Sequence, residues 1–412
     1  MAGVSPRDIP EGDLLPPSPP AVLRPKPSIL MLVAMTGLGP FSMQILIPTL
    51  PAMAVALNTS YATIQLTLTL YLVGVALAQL VYGPLSDRYG RKPLLLAGLA
   101  MYSVGTVAAA IAPSVGWLVA ARVLQAVGGC AGLVLGRAMI RDAFPREKAA
   151  SVIGYVSTAM AVAPMVAPLL GSLLEGQFGW RATMVACLAF GLPLLFAVRA
   201  RLPETLVEPA PLPGMAGLLG AYGQLLRLPA FRAYCGITAF STAVFFAFMA
   251  GGPMVVITGL GHSGTTYALA MMAISVAWSS GSFIAARLAQ RLGIARMLLL
   301  GTGTTTLGGV LALSTQAFLP PHIVLFFLPM VVVALGNGMT QPNAVAAAVS
   351  VRPNLAGTAS GLVGATQMGF GAAMTVLCGM TESGSGIATA LWMLAGALGT
   401  QVALLAARRQ RG

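Results

Sequence analysis

Charge is scarce in this chain. Asp, Glu, Lys and Arg make up 8% of its 412 residues, where a soluble globular domain carries about 25%. That shortfall excludes an ordinary water-soluble enzyme and a charged disordered chain. Cysteine is scarce too: Cys130, Cys187, Cys235 and Cys378 stand far apart inside apolar runs, and none belongs to a CxxC pair. A disulfide scaffold and a thiolate metal site are therefore excluded, and the four read as small apolar residues in a lipid-facing or helix-packing setting. The two histidines, His262 and His322, fall between apolar runs and read as solvated. With no Ser/His/Asp set, no metal cluster and no phosphate loop, nothing in the chain supports catalysis, and no cofactor is expected.

What is present in abundance is apolar length. Hydrophobic residues are 57% of the chain and the mean hydropathy is +0.86. About 20 apolar residues cross a hydrocarbon core of about 30 Å, and runs of that length recur over 28-57, 62-84, 93-112, 115-139, 149-174, 181-200, 231-259, 265-288, 294-317, 321-349, 355-380 and 385-407. The expected fold is therefore an all-α membrane protein of twelve transmembrane helices. Residues 1-27 hold eight prolines and no apolar core, and read as a disordered tail. Residues 202-230, with Pro203, Pro209, Pro211, Pro213 and Pro229, read as a linker between a half at 28-201 and a half at 231-407; residues 408-412 form a basic tail.

The formal charge of +13 invites a nucleic-acid reading until the basic residues are placed. Twenty-one of the 23 Lys and Arg residues fall at the tails, at the central linker or at the junctions after even-numbered spans. By the positive-inside rule those segments face the cytoplasm, so both termini are cytoplasmic and the excess is topology rather than nucleic-acid affinity. The exceptions are Arg181, beside Trp180 at an outer loop, and Arg122, inside span 4.

After span 2 the chain reads Gly83-Pro84-Leu85-Ser86-Asp87-Arg88-Tyr89-Gly90-Arg91-Lys92-Pro93. Gly83 permits close helix approach, Gly90 a tight turn, and Asp87 is a boundary carboxylate that needs a partner. A span 4 arginine, Arg137 or Arg141, could supply it, as could the positive N-terminus of a neighbouring helix. The stretch resembles the G-x-x-x-D-R-x-G-R-[RK] signature of the major facilitator superfamily, in the position that family uses. The resemblance implies two six-helix halves and an inner-face gate built on Gly83, Asp87, Arg88, Gly90, Arg91, Lys92, Arg137 and Arg141, and it implies that the neighbouring helix is span 11, here capped by Asn354. Adding 203 to the motif positions lands on Ala286, Gln290, Arg291, Leu292 and Gly293, a degenerate echo between spans 8 and 9 that fits a repeated half.

A central arginine costs about 2.5 to 3.5 kcal/mol to insert, so Arg122 should face the bundle interior or a water-filled cavity unless it snorkels toward the end of span 4 marked by Trp117. Arg122 through Gly129 resembles the family's span 4 motif R-x-x-Q-G-x-G, with Ala126 at the first glycine, which implies a link between substrate and proton binding; Gln125 shares its helical face. Pro164, Pro168 and Gly171 resemble the span 5 motif of exporters and imply a bend, although small residues and proline are common in membrane helices. Ile47 through Pro51, Gln65 through Thr69, Arg137 through Asp142, Phe178 through Arg181, Leu202 through Thr205 and Ala356 through Ser360 are similar to the Bcr/CflA drug-resistance transporters.

That subgroup has an aspartate in span 1 where this chain has Gln44, and a neutral amide carries no proton. The expected activity is export of small drug-like compounds across the bacterial inner membrane by alternating access, powered by the proton gradient. An uptake or proton-independent carrier for a small metabolite is the alternative that Gln44 favours. The expected substrate site lies at the midplane between the halves, on Gln44, Tyr71, Arg122, Gln125, Phe245, Phe246, Asn337, Gln341 and Gln367, although each of the last five could equally be a packing or interhelical residue. Partners are then a small-molecule substrate and membrane lipid, not nucleic acid, and the chain is expected to be a monomer.

Overall fold

The computed structural model describes residues 27-144, 152, 156, 163-206, 214-352 and 355-410. The proline-rich tail, the first part of span 5, residues 207-213 of the linker and Asn354 lie outside the described residues. Within them the chain is helical, and eleven helices are long and apolar enough to cross a membrane. The expected fifth span is described only from Ala163 to Phe178, 16 residues, so eleven rather than twelve spans can be counted among the described residues.

The first span is not one helix. Helix α1 runs Ile29–Gln44, a 3₁₀ turn follows at Ile47–Thr49, and α2 continues over Leu50–Ala56. Pro48 explains the break, because proline has no N–H to donate to the carbonyl four residues earlier, which is that of Gln44. A single turn, α3 (Tyr61–Ile64), leads into α4 (Leu66–Tyr89), followed by α5 (Arg91–Ala110), α6 (Val115–Ala143), α7 (Ala163–Phe178) and α8 (Arg181–Arg201). The expected linker contains a helix, α9 (Met215–Leu226), that its prolines concealed. Then come α10 (Pro229–Pro253) with a π turn at Met254–Gly259, α11 (Gly264–Leu292), α12 (Ile294–Phe318), α13 (Ile323–Ser350), α14 (Ala356–Thr381) and α15 (Ile387–Arg408).

Each half packs on itself. In the first, α6 touches α1, α4 and α5, and α5 touches α8; in the second, α13 touches α10, α11 and α12, and α15 touches α10 and α12. With lipid as apolar as leucine, such contacts depend on close backbone approach over small residues. A Cβ added at Gly132 of α6 would lie 1.9 Å from the Met35 carbonyl oxygen of α1. In the second half a Cβ at Gly338 would lie 2.1 Å from the Trp278 carbonyl oxygen.

Between the halves α4 packs on α14 and α7 on α11. These are spans 2 with 11 and 5 with 8, pairs that exchange under a two-fold relating the halves. The offset of 203 residues has a conformational counterpart: α4 ends at Gly90 with φ +97° and α11 at Gly293 with φ +78°, both opening the next helix. Only glycine adopts that backbone without strain.

Candidate functional site

A cavity of about 410 Å³ lies between the two halves, within the range of small-molecule sites. Gln44 and Met43 reach it from α1, Phe245 and Phe246 from α10, Asn337 and Gln341 from α13, and Gln367 from α14. The break at Pro48 ends α1 at Gln44, which leaves that side chain at the helix terminus facing the cavity. Residues that sequence reading did not nominate also line it, among them Met271, Met330, Met368 and Trp278. Their signal was available only as composition, 22 methionines in a chain of 412; a thioether is unbranched and adapts to varied apolar shapes.

Three of the polar groups are already engaged. Asn337 accepts from Ser241 Oγ at 2.7 Å and donates to the Ser241 carbonyl at 3.1 Å. Gln341 Nε2 donates to Thr242 Oγ1 at 2.8 Å, and Gln367 Nε2 donates to Gln341 Oε1 at 2.8 Å. These bonds tie α10, α13 and α14 together beneath the cavity. The Gln44 amide oxygen has no partner among the described residues.

Arg122, Gln125 and Tyr71 do not line the cavity; they form a separate buried cluster inside the first half. Arg122 is 1% exposed, which removes the snorkelling alternative. Its guanidinium donates to Gln125 Oε1 and, at 3.2 Å, to the Ser42 carbonyl, and it stacks 4.3 Å from the Tyr71 ring centre. Gln125 donates onward to Thr106 Oγ1 at 2.7 Å, and Ser42 and Tyr102 share a hydroxyl bond of 2.5 Å. No carboxylate touches Arg122 among the described residues: neutral acceptors and a π face carry its charge. Ser42 is two residues from Gln44, so the cluster borders the cavity through the end of α1.

At the face where most of the arginines gather, the partner of Asp87 among the described residues is neither Arg137 nor Arg141, and Asn354, the expected cap of span 11, lies outside them. Asp87 pairs with Arg91 of its own motif at 2.5 Å, and Arg91 also donates to Asp142 at 3.0 Å and to Ser86 Oγ. The i, i+4 spacing across the Gly90 turn brings Arg91 back over Asp87. Gly83 makes no close approach among the described residues, since a Cβ there would meet none of them within 4 Å. Arg137 is exposed and lines the cavity, near the basic end of α6, while a Cβ at Gly357 would sit 4.0 Å from Arg141. Arg88 is exposed; Lys92 and Arg91 offer their backbone N–H groups to the Glu204 carboxylate at 3.0 and 3.1 Å. Glu204 thereby caps α5, an anion at the positive end of a helix.

The opposite end of the interface is closed. Pro253 and the π turn leave the Ala250 carbonyl without its helical donor, because Met254 N–H bonds Gly251 instead. That carbonyl accepts from Tyr61 Oη at 2.9 Å and from Gln65 Nε2 at 2.5 Å, both from the other half. Thr69 and Thr375 share a 2.6 Å hydroxyl bond one turn further in. Pro164 and Pro168 stand in the first turns of α7, and a Cβ at Gly171 would lie 2.0 Å from the Ile45 carbonyl oxygen, so α7 sits directly on the broken end of span 1. Nearby, Glu382 accepts from Gly384 and Gly386 N–H and from both Thr389 groups, a cap on α15. Arg181 donates to the Ala112 carbonyl at 2.8 Å and lies on the Trp180 ring, while His322 accepts from Val324 N–H at the start of α13. All four cysteines are buried and unpaired with one another.

Comparison with known proteins agrees with this arrangement. A family model described as the Major Facilitator Superfamily matches residues 32–376. A chloramphenicol resistance protein of Pseudomonas aeruginosa is 34% identical over 333 residues, 79% of this chain and 75% of that protein. Multidrug resistance protein D of Escherichia coli is 29% identical over 371 residues, covering 90% and 93% of the two chains. Among solved structures, a D-xylose-proton symporter superposes with a TM-score of 0.72 at 16% identity, over 90% of this chain and 96% of the other.

Proposed function

Since the chain belongs to the major facilitator superfamily, whose members carry solutes across membranes, we propose that it exports small drug-like compounds across the bacterial inner membrane by alternating access, exchanging them for protons. The single observation that carries this reading is the inter-half cavity, lined by amides, aromatics and methionines and closed at the end away from the basic face by the Tyr61 and Gln65 bonds to Ala250. The drug-resistance relatives support the substrate class, and the distribution of basic residues supports cytoplasmic termini. Opening outward requires those bonds to break while the Asp87-Arg91-Asp142 face closes.

One proton crossing 100 mV releases about 2.3 kcal/mol, and a tenfold solute gradient costs about 1.4 kcal/mol, so one proton sustains more than a tenfold gradient. A proton-independent carrier is the second reading, favoured by Gln44 and by the position of the described carboxylates, Asp87, Asp142, Glu175, Glu204 and Glu382, at helix ends. Proteoliposomes loaded with chloramphenicol separate the two. With antiport, an imposed pH gradient drives the drug against its concentration; movement that ignores the gradient refutes antiport and leaves the carrier reading.

Asp87→Asn is expected to slow transport with little change in stability. Asp87 is 49% exposed, where an ion pair contributes at most about 1 kcal/mol, and Arg91 keeps Asp142 and Ser86. An unchanged transport rate, measured at equal expression, would remove Asp87 from the gating cycle.

A further inference from the structure

A second recess lies on the outer surface of the first half, away from the interface of the halves. It is a groove of about 390 Å³ between α5 and α8, walled by Val104, Val107, Ile111, Leu188 and Leu192. Its one polar residue, Ser103, commits its hydroxyl to the Leu99 carbonyl at 2.9 Å, so the groove offers only hydrocarbon contact. Val104, Val107, Ile111 and Leu192 are exposed, and exposed apolar side chains on helices of this length face the hydrocarbon of the bilayer.

A cation stands at one end of the groove. Arg181 opens α8, and Arg181, Val185, Leu188 and Leu192 recur along that helix every three or four residues, which places them on one face. Leu188 is seven residues on from Arg181, about 10 Å at the helical rise. Across the groove the same guanidinium donates to the Ala112 carbonyl at 2.8 Å, beside Ile111, and rests on the Trp180 ring. Those contacts fix the side chain while the Ala112 bond uses one of its five N–H groups, and Arg181 is exposed. Trp117, also exposed, donates its indole N–H to the Ala108 carbonyl on the groove wall at 2.9 Å, an amphipathic ring of the kind that sits at headgroup level. A neutral donor would satisfy the Ala112 carbonyl as well, so the tether does not account for the charge, and Arg181 is one of only two basic residues away from the basic face. A phosphodiester accounts for it, because a guanidinium bonds phosphate oxygens in pairs. A zwitterionic headgroup carries its own ammonium beside the phosphate and gains less from Arg181.

We propose that Arg181 and the groove between α5 and α8 bind one anionic phospholipid in the leaflet away from the basic face, its phosphate on the guanidinium and one acyl chain along Val104, Val107 and Leu192. The site is independent of which solute the central cavity carries.

The test is photocrosslinking of the purified full chain in nanodiscs, using phosphatidylglycerol or phosphatidylcholine with the same diazirine-bearing acyl chain. Adducts are mapped by peptide mass spectrometry and normalised to those at Val402 of α15, an exposed position in the other half. Phosphatidylglycerol is expected to label residues 104-111 and 188-192 about fivefold more than phosphatidylcholine, the preference that one basic residue at a lipid surface supports. Arg181→Gln should level the two lipids without lowering phosphatidylcholine labelling, and Arg181→Lys should keep most of the preference. Val107→Trp, which fills the groove and leaves Arg181 in place, should remove the adducts of both lipids there. Equal labelling by the two lipids in the unaltered protein identifies ordinary boundary lipid and overturns the proposal. So does a preference that survives Arg181→Gln, a fall in both lipids alike in that variant, or labelling indifferent to Val107→Trp.

Discussion

Arg122→Leu is expected to abolish transport while leaving the bundle about as stable as before. Arg122 sits in the interior of the first half with neutral partners, the Ser42 carbonyl, Gln125 and the Tyr71 ring, and its Nε has no partner among the described residues. An intramembrane arginine costs about 2.5 to 3.5 kcal/mol on insertion scales. Removing it lifts that cost and leaves Gln125 Oε1 without its donor, a penalty of about 1 to 3 kcal/mol. The two effects oppose each other with similar size, so melting in detergent should move little. Transport depends on a different consequence. The guanidinium holds the Ser42 carbonyl at the end of α1, and with it the orientation of Gln44 in the cavity. Arg122→Lys should not rescue, because an ammonium on a flexible stem cannot bond Ser42 and Gln125 while covering the Tyr71 face. Drug binding is the discriminating measurement: weakened affinity in a variant with unchanged melting marks a positioning role, and transport within twofold of the parent would end that reading.

Gly132→Val is expected to cost about 3 kcal/mol of stability and to remove transport with it. The added Cβ would fall 1.9 Å from the Met35 carbonyl oxygen and 2.7 Å from its carbon. A backbone carbonyl has no rotamer by which to move aside, so α1 must separate from α6. Ser42 lies two turns further along α1, and the same displacement pulls its carbonyl from Arg122. Gly37 on α1 provides the control, because a Cβ there meets none of the described residues within 4 Å. Gly37→Ala should be neutral, or stabilising by up to about 1 kcal/mol through helix propensity. Expression level and thermal unfolding of the two variants side by side check the argument; equal behaviour would mean that the α1-α6 contact tolerates separation.

Much of this protein was legible in its residues. The apolar runs locate the spans, because crossing about 30 Å of hydrocarbon sets a length that local composition either meets or fails. The Asp87 to Lys92 motif, its echo at Gly293 and the placing of the basic residues are likewise local facts, and the turn at Gly90 follows from one residue's freedom at positive φ. The burial of Arg122 was foreseeable from the cost of exposing it to lipid.

Other features were decided only by tertiary packing. Arg122, Gln125 and Tyr71 were expected in the cavity beside Gln44, yet they lie one layer behind it, joined through Ser42. Asp87 was expected to find a partner such as a span 4 arginine and, among the described residues, meets Arg91, four residues on. Gly83, expected at a close contact, has none among the described residues, while Gly132, singled out by no motif, sits against a backbone carbonyl. The physical reason is common to all of these. A membrane helix is apolar on every side, because lipid and protein interior have similar polarity, so its sequence carries little periodicity to distinguish the cavity face from the packed face or the lipid face. Composition therefore determined that the chain spans a membrane and where it crosses; which side chains meet was left to the close fit of one helix on another.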